Sequence, residues 1–191
     1  MEERLPRKLA AILHADVAGY SRLAGKDEDA THRKLKTSLD LIGEAVSSCH
    51  GRVVNYAGDA ALAVFDAVVD AVCCAVMIQA ELAELNADLP EDRRILFRIG
   101  DNLGDVIEDD DDIFGDGVNV AARIQGLAEP GGVCISEFVF AALGNQLPLE
   151  FEDIGPQSVK NIADPVRAYL VQLKPGAELP RPVQRKERQR N

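Results

Sequence analysis

The spacing of apolar residues changes along this chain in a fixed order, and that order leaves few architectures open. Residues 8–15 (KLAAILHA) form a compact apolar run that stops at Asp16, with the length and composition of a buried strand. Gly19 breaks the pattern, and from about Asp27 to Ser48 the spacing is helical, with Leu35, Leu39, Ile42 and Val46 three and four residues apart. Two short β-rich pieces follow, Arg52–Tyr56 and Ala61–Phe65, separated by Gly58-Asp59, which predicts a hairpin with an aspartate at its tip. Val68–Leu89 is helical by period and ends before Pro90, after which Ile95, Phe97 and Ile99 alternate with charged residues as in a half-buried strand. Gly104-Asp105 and Val106-Ile107 imply a second hairpin, and the acidic run Glu108–Asp112 reads as a solvated loop. Gly115-Asp116-Gly117 opens a helix over Val118–Leu127 that Pro130-Gly131-Gly132 ends. Strands at Val133–Ser136, Leu149–Ile154 and Arg167–Val171 surround a short helix at Glu137–Leu143. Strand, helix, hairpin, helix, strand describes an α+β sandwich with helices on one face of a mostly antiparallel sheet.

With 191 residues, 47 % of them hydrophobic, the chain can bury one sizeable core. Its formal charge of −11 argues against nucleic acid and against an anionic membrane surface as partners. The longest nearly unbroken apolar run, Ala71–Ile78, is far shorter than the roughly 20 residues of a bilayer span, and the start MEERLPRKL has no apolar signal region, so the expected location is cytoplasmic. Residues 176–191 carry five basic and two acidic residues without apolar period, and read as a disordered basic tail or linker after a domain spanning 1–175; the rest of the chain then holds a formal charge of −14. Cys49, Cys73, Cys74 and Cys134 lack CxxC spacing and read as small hydrophobes. His14 reads as a satisfied core or interface residue, and His32 and His50 as polar surface.

Two aspartates stand where folding alone would not put them. Asp16 ends an apolar strand and Asp59 occupies a hairpin tip, and neighbouring strands can bring both carboxylates to one sheet edge. Such pairs hold hard divalent cations, with phosphates and water filling the remaining positions. The plainer alternative is that Asp59 serves the turn and Asp16 caps the following helix. Val17-Ala-Gly-Tyr-Ser leads into a helix start, where free N–H groups favour a phosphate. Asn119 and Arg123, spaced i, i+4, share one helical face, an amide beside a guanidinium that suits a ribose and a phosphate, or simply a polar surface stripe.

The segments HADVAGYS, NYAGDAALAVF, FRIGDNLGDV, DDIFGDGVNVAAR and SVKNIADPV occur in the order found in class III nucleotidyl cyclase catalytic domains, and the chain resembles the bacterial adenylate/guanylate cyclase domain over about Lys8–Leu173. The resemblance implies a ferredoxin-like βαββαβ core with additional strands and helices. It implies a head-to-tail homodimer with shared sites in which ATP becomes 3′,5′-cyclic AMP and pyrophosphate, in intracellular signalling. By its motifs, Asp16 and Asp59, assisted by the Val17 carbonyl, would hold two Mg²⁺ or Mn²⁺ ions per site. Gly19, Tyr20 and Ser21 match the phosphate-binding turn, and Arg98 matches an arginine at the triphosphate. From the partner subunit Asn119 would orient the ribose, Arg123 would stabilise charge on the α-phosphoryl group, and Lys160 would contact the terminal phosphates. Asp112 matches the aspartate that accepts from the adenine amino group. Asn55 stands where adenylate cyclases of the family carry lysine and guanylate cyclases glutamate. Asp101 also departs from the family, which has an apolar residue there; it is either buried, and then needs a partner or a raised pKa, or at an edge facing water. Two other readings remain: a degenerate cyclase that binds nucleotide and signals by dimerising, and a guanylate cyclase, which Asp112 disfavours.

Overall fold

The computed structural model describes residues 4–182. The chain runs β1 (Arg7–Val17), α1 (Tyr20–Lys26), α2 (Glu28–Ser48), β2 (Arg52–Ala57), β3 (Ala60–Phe65), α3 (Val68–Asn86), β4 (Phe97–Asp109), β5 (Asp112–Phe114), α4 (Asp116–Leu127), β6 (Val133–Ser136), α5 (Glu137–Leu143), β7 (Leu149–Gln157) and β8 (Val166–Leu173). The strands form one sheet in the order β2-β3-β1-β4-β6-β8-β7, with β5 paired to β4. The first four strands with α2 and α3 make the ferredoxin-like βαββαβ core, and β4–β6 is a parallel pair in an otherwise antiparallel sheet. The α+β class and its added strands and helices follow the sequence reading. Among the described residues no helix is long and apolar enough to cross a membrane.

The segment after Gly19 holds a helix of its own. Asp27, in extended conformation, separates α1 from α2 and caps the latter by accepting from the Ala30 N–H at 3.0 Å. One face of the sheet is covered by α2, α3 and α5: Leu35, Ile42 and Val46, then Val72 and Ile78, then Val139 and Leu143 pack with Leu13, Phe97 and Ile99 of the central strands. The expectation that all helices share this face is corrected by α4, which lies on the opposite face with Val120, Ala121 and Ile124 inward. Glycines admit it. A Cβ at Gly100 would stand 2.3 Å from the Gln125 nitrogen, and one at Gly104 would stand 3.2 Å from the Gly117 Cα.

Gly104 is therefore a contact glycine in mid-strand and not a turn. The turn expected at Gly104-Asp105 falls at Asp110 and Asp111, both with positive φ (52° and 69°), between β4 and β5. The acidic run is a strand end, a turn and a strand start, since β4 continues through Asp109 and β5 opens at Asp112. The tail expected from 176 is tied to the fold at its start: Leu179 packs against the core, and residues 183–191 lie outside the described residues.

Candidate active site

Asp16 is the penultimate residue of β1, and Asp59 is the second residue of the two-residue loop between β2 and β3. Gly58 supplies the positive φ (63°) that this loop requires. Asp16 pairs in register with Ala60, the residue after Asp59, on one side and with Arg98 on the other. The two carboxyl groups come within hydrogen-bonding reach. Burial, then the charge of Asp59 and the hydrogen bond to it, push the Asp16 pKa up to about 6, against the opposing pull of the Val17 N–H and Arg98. Asp16 Oδ1 and Arg98 Nε are both buried with no hydrogen-bond partner among the described residues. Buried polar atoms in native proteins are almost always paired, so two unpaired ones beside a second carboxylate mark a place that a polar ligand completes.

The donor set fits a hard divalent cation. Two facing carboxylates, one with a buried orphan oxygen and a pKa raised first by burial and then by its neighbour's charge, are relieved by positive charge between them. Among the described residues no group of three or more His, Cys, Asp or Glu is arranged as a metal site, so a cation here would take these two carboxylates and otherwise carbonyl, water or substrate oxygens. Val17, the third residue the resemblance assigns to metal, is the last residue of β1 beside Asp16. Next to it, Gly19 takes the left-handed conformation (φ 71°) that starts α1. Ser21 is exposed there, whereas the Tyr20 side chain packs against the core, leaving its backbone N–H for the turn.

The two residues that the resemblance assigns to the base touch each other. Asn55 Nδ2 donates to Asp112 Oδ1 at 3.1 Å, and the same oxygen accepts the Ile113 N–H at 2.9 Å. Arg52, which sequence reasoning did not single out, adds a tether by donating to the Asp111 carbonyl at 3.2 Å; nothing but its charge in a strand signals it. A bulge between Val53 and Asn55 turns Asn55 to this side of the sheet.

Asn119 and Arg123 lie on α4, exposed, on the side away from the chain's own sheet, since Val120, Ala121, Ile124 and Gln125 are the buried ones. Arg123 Nε donates to the Ser158 carbonyl at 3.3 Å, which aims the guanidinium toward the segment carrying exposed Lys160. Among the described residues no hydrogen bond or ion pair joins Asn119, Arg123 or Lys160 to the Asp16, Asp59 and Arg98 group. One chain thus carries two separate groups of candidate residues.

Known proteins resemble this chain in sequence and fold. The family described as "Adenylate and Guanylate cyclase catalytic domain" matches residues 5–173. The chain belongs to that family. Its cyclase domain is 46 % identical over 180 residues to "Putative adenylate cyclase 3" of Rhizobium meliloti (strain 1021), covering 94 % of this chain and 31 % of that protein. The crystal structure of an adenylate/guanylate cyclase/hydrolase from Silicibacter pomeroyi superposes with a TM-score of 0.81 at 42 % identity, over 87 % of this chain and 98 % of that one. The adenylyl cyclase CyaB from P. aeruginosa superposes with a TM-score of 0.78 at 20 % identity, over 95 % of this chain and 100 % of that one, which shows a shared fold. The cyclase domain spans under a third of the length of the curated relatives it matches.

Two residues whose surroundings the sequence left open are placed by the fold. Asp101 is fully buried in the middle of the sheet, between Leu13 of β1 and Ile135 of β6, and both carboxylate oxygens lack a partner among the described residues; it does not face water. Burial drives its pKa well above the usual carboxylate range, which favours the neutral acid. His14, expected as a satisfied core or interface residue, is half-buried, with its Nδ1 buried and without a partner among the described residues, and burial lowers its pKa. The four cysteines are buried free thiols, as expected.

Proposed function

We propose that two copies of this cyclase domain, arranged head to tail, convert ATP to 3′,5′-cyclic AMP and pyrophosphate at sites they share. The observation that carries this reading is that no hydrogen bond or ion pair among the described residues joins the half-buried Asp16, Asp59 and Arg98 group to the exposed Asn119, Arg123 and Lys160. Asp16 and Asp59, with the Val17 carbonyl, would hold Mg²⁺ or Mn²⁺. Such ions, when bound, lower the pKa of the ribose 3′-hydroxyl and neutralise charge on the triphosphate. Arg98, with its unpaired Nε, and the N–H groups of the Gly19-Tyr20-Ser21 turn bind the triphosphate. The second copy's Asn119 orients the ribose, its Arg123 meets charge developing on the α-phosphoryl group, and its Lys160 meets the terminal phosphates. Base choice falls to Asp112, whose second oxygen accepts from an exocyclic amine, as adenine offers and guanine O6 does not. The catalytic unit is residues 1–175, with 176–191 a basic tail or linker whose Leu179 packs back on the core, and its setting is cytoplasmic signalling without nucleic acid or membrane contact.

The formal charge of −11 opposes an anionic nucleotide at long range, so binding is local and depends on the cations that the carboxylates hold. Purified protein with Mn²⁺ and ATP should form cyclic AMP at a rate rising faster than linearly with protein concentration. No product at high concentration with Mn²⁺ would refute the enzymatic reading. A second reading, a nucleotide-binding domain that signals by dimerising, is favoured by Asn55 at the family's lysine position; ATP binding by calorimetry without turnover is its signature. Product from GTP in preference to ATP would instead make the domain a guanylate cyclase.

A further inference from the structure

Gly43 lies within α2, where glycine costs roughly 1 kcal/mol relative to alanine, and its φ is not positive, so backbone conformation does not explain it. A neighbour does. A Cβ at residue 43 would stand 2.6 Å from the Tyr56 hydroxyl and 4.0 Å from the carbon bearing it. Tyr56, 49 % exposed, rests its hydroxyl over the space that Gly43 leaves. It sits on β2 three residues before Asp59, paired across the hairpin with Ala61.

The bulge between Val53 and Asn55 makes this seat possible. Val53 and Tyr56, three residues apart, both face α2, while Val54 packs on the other face beside Asn55. The hairpin tip needs such a seat, because β2 is a largely exposed edge strand. A hollow of about 240 Å³ bounded by Leu35, Leu39, Asp40, Tyr56 and Gly58 lies between the tip and α2. Tyr56 is the strut across that space.

We infer that Tyr56, seated against Gly43, is a positioning residue for Asp59, fixing its separation from Asp16 and so the affinity of the pair for a divalent cation. The inference rests on reading Asp16 and Asp59 as the cation-holding pair. Tyr56 touches neither carboxylate and acts through the hairpin. Ala61, Ala63 and Phe65 of β3 are anchored in the core, so a displaced tip leaves the sheet intact.

The test is Mn²⁺ binding to the full chain, followed by the electron paramagnetic resonance signal of free Mn²⁺. Gly43→Ala should raise the Kd for Mn²⁺ about tenfold or more, the range seen when a residue supporting a metal ligand is lost. Tyr56→Phe, which removes only the atom that the new methyl meets, should bind as the unaltered chain does, and Gly43→Ala/Tyr56→Phe should recover most of the affinity. If the seat did nothing, Gly43→Ala would stabilise α2 and leave the Kd unchanged. That result overturns the inference, as does a double variant that fails to recover, or an unaltered chain that binds no Mn²⁺. A chain that binds Mn²⁺ with this pattern but forms no cyclic AMP refutes the proposed function and leaves the inference standing.

Discussion

Replacing Asp101 by asparagine should change how stability depends on pH, and the size of the change follows from burial. Asp101 is fully buried, both oxygens are unpartnered among the described residues, and its pKa lies well above 3.8 because burial penalises the charged form. In the unfolded chain it ionises near 3.8. Between that value and its folded pKa the native state holds one more proton than the unfolded state, so stability falls as pH rises through this window. The slope is about 1.4 kcal/mol per pH unit for one such group. Each pH unit within this window should therefore cost the unaltered chain about 1.4 kcal/mol relative to Asp101→Asn, which keeps the shape and cannot ionise. For a domain of this size each such unit widens the Tm difference by roughly 3–5 °C. Thermal unfolding followed by circular dichroism at pH 5, 6, 7 and 8 measures it. Asp16, whose pKa of about 6 adds its own loss up to that pH, is common to both proteins and cancels in the difference. Parallel Tm curves for the two proteins would show that Asp101 is ionised in the fold, and would refute the reasoning.

Three further outcomes follow. Asp59→Asn should abolish cyclic AMP formation and, by removing the neighbouring charge, bring the Asp16 pKa down from about 6; ¹³C NMR of the Asp16 carboxyl reads the shift, and an unchanged value would contradict the pairing. Asn55→Lys exchanges the 3.1 Å amide hydrogen bond to Asp112 for an ion pair and restores the residue usual in adenylate cyclases, so kcat/KM for ATP should rise relative to GTP; no change would mean that residue 55 does not read the base. Gly100→Ala drives a Cβ to 2.3 Å from the Gln125 backbone nitrogen, and should cost about 1–3 kcal/mol in urea unfolding, with little cost meaning that α4 lies farther from β4.

The fold was legible where the signal was a period. The apolar run of β1, the i, i+3, i+4 spacing of α2 and the Gly-Asp hairpin tip each stand where their pattern put them. What the pattern lacks is a third dimension. A helical period says that α4 has an apolar face, but not which side of the sheet receives it; that is decided by Gly100, Gly104 and Gly117, whose missing side chains look in sequence like turn signals. The bulge at Val53–Asn55 is equally silent, because it shifts which face each residue takes without changing composition. Asp101 reads as a charge by its letter, whereas its buried surroundings favour the neutral acid. In the candidate site, Asp16 and Asp59 were legible as carboxylates at odd places, and the structure brings them together. Tyr56 and Arg52 were not, since each acts through contacts with residues distant in sequence.

The claim that one site is assembled from two copies is tested most directly by mixing two inactive variants. Asp59→Asn destroys the carboxylate half and Arg123→Ala the α4 half, so neither should form cyclic AMP alone. Mixed in equal amounts after dissociation, half of the dimers should contain one of each, and each of those should hold one intact site, restoring about a quarter of the unaltered activity. A mixture as inactive as its components would contradict the shared site.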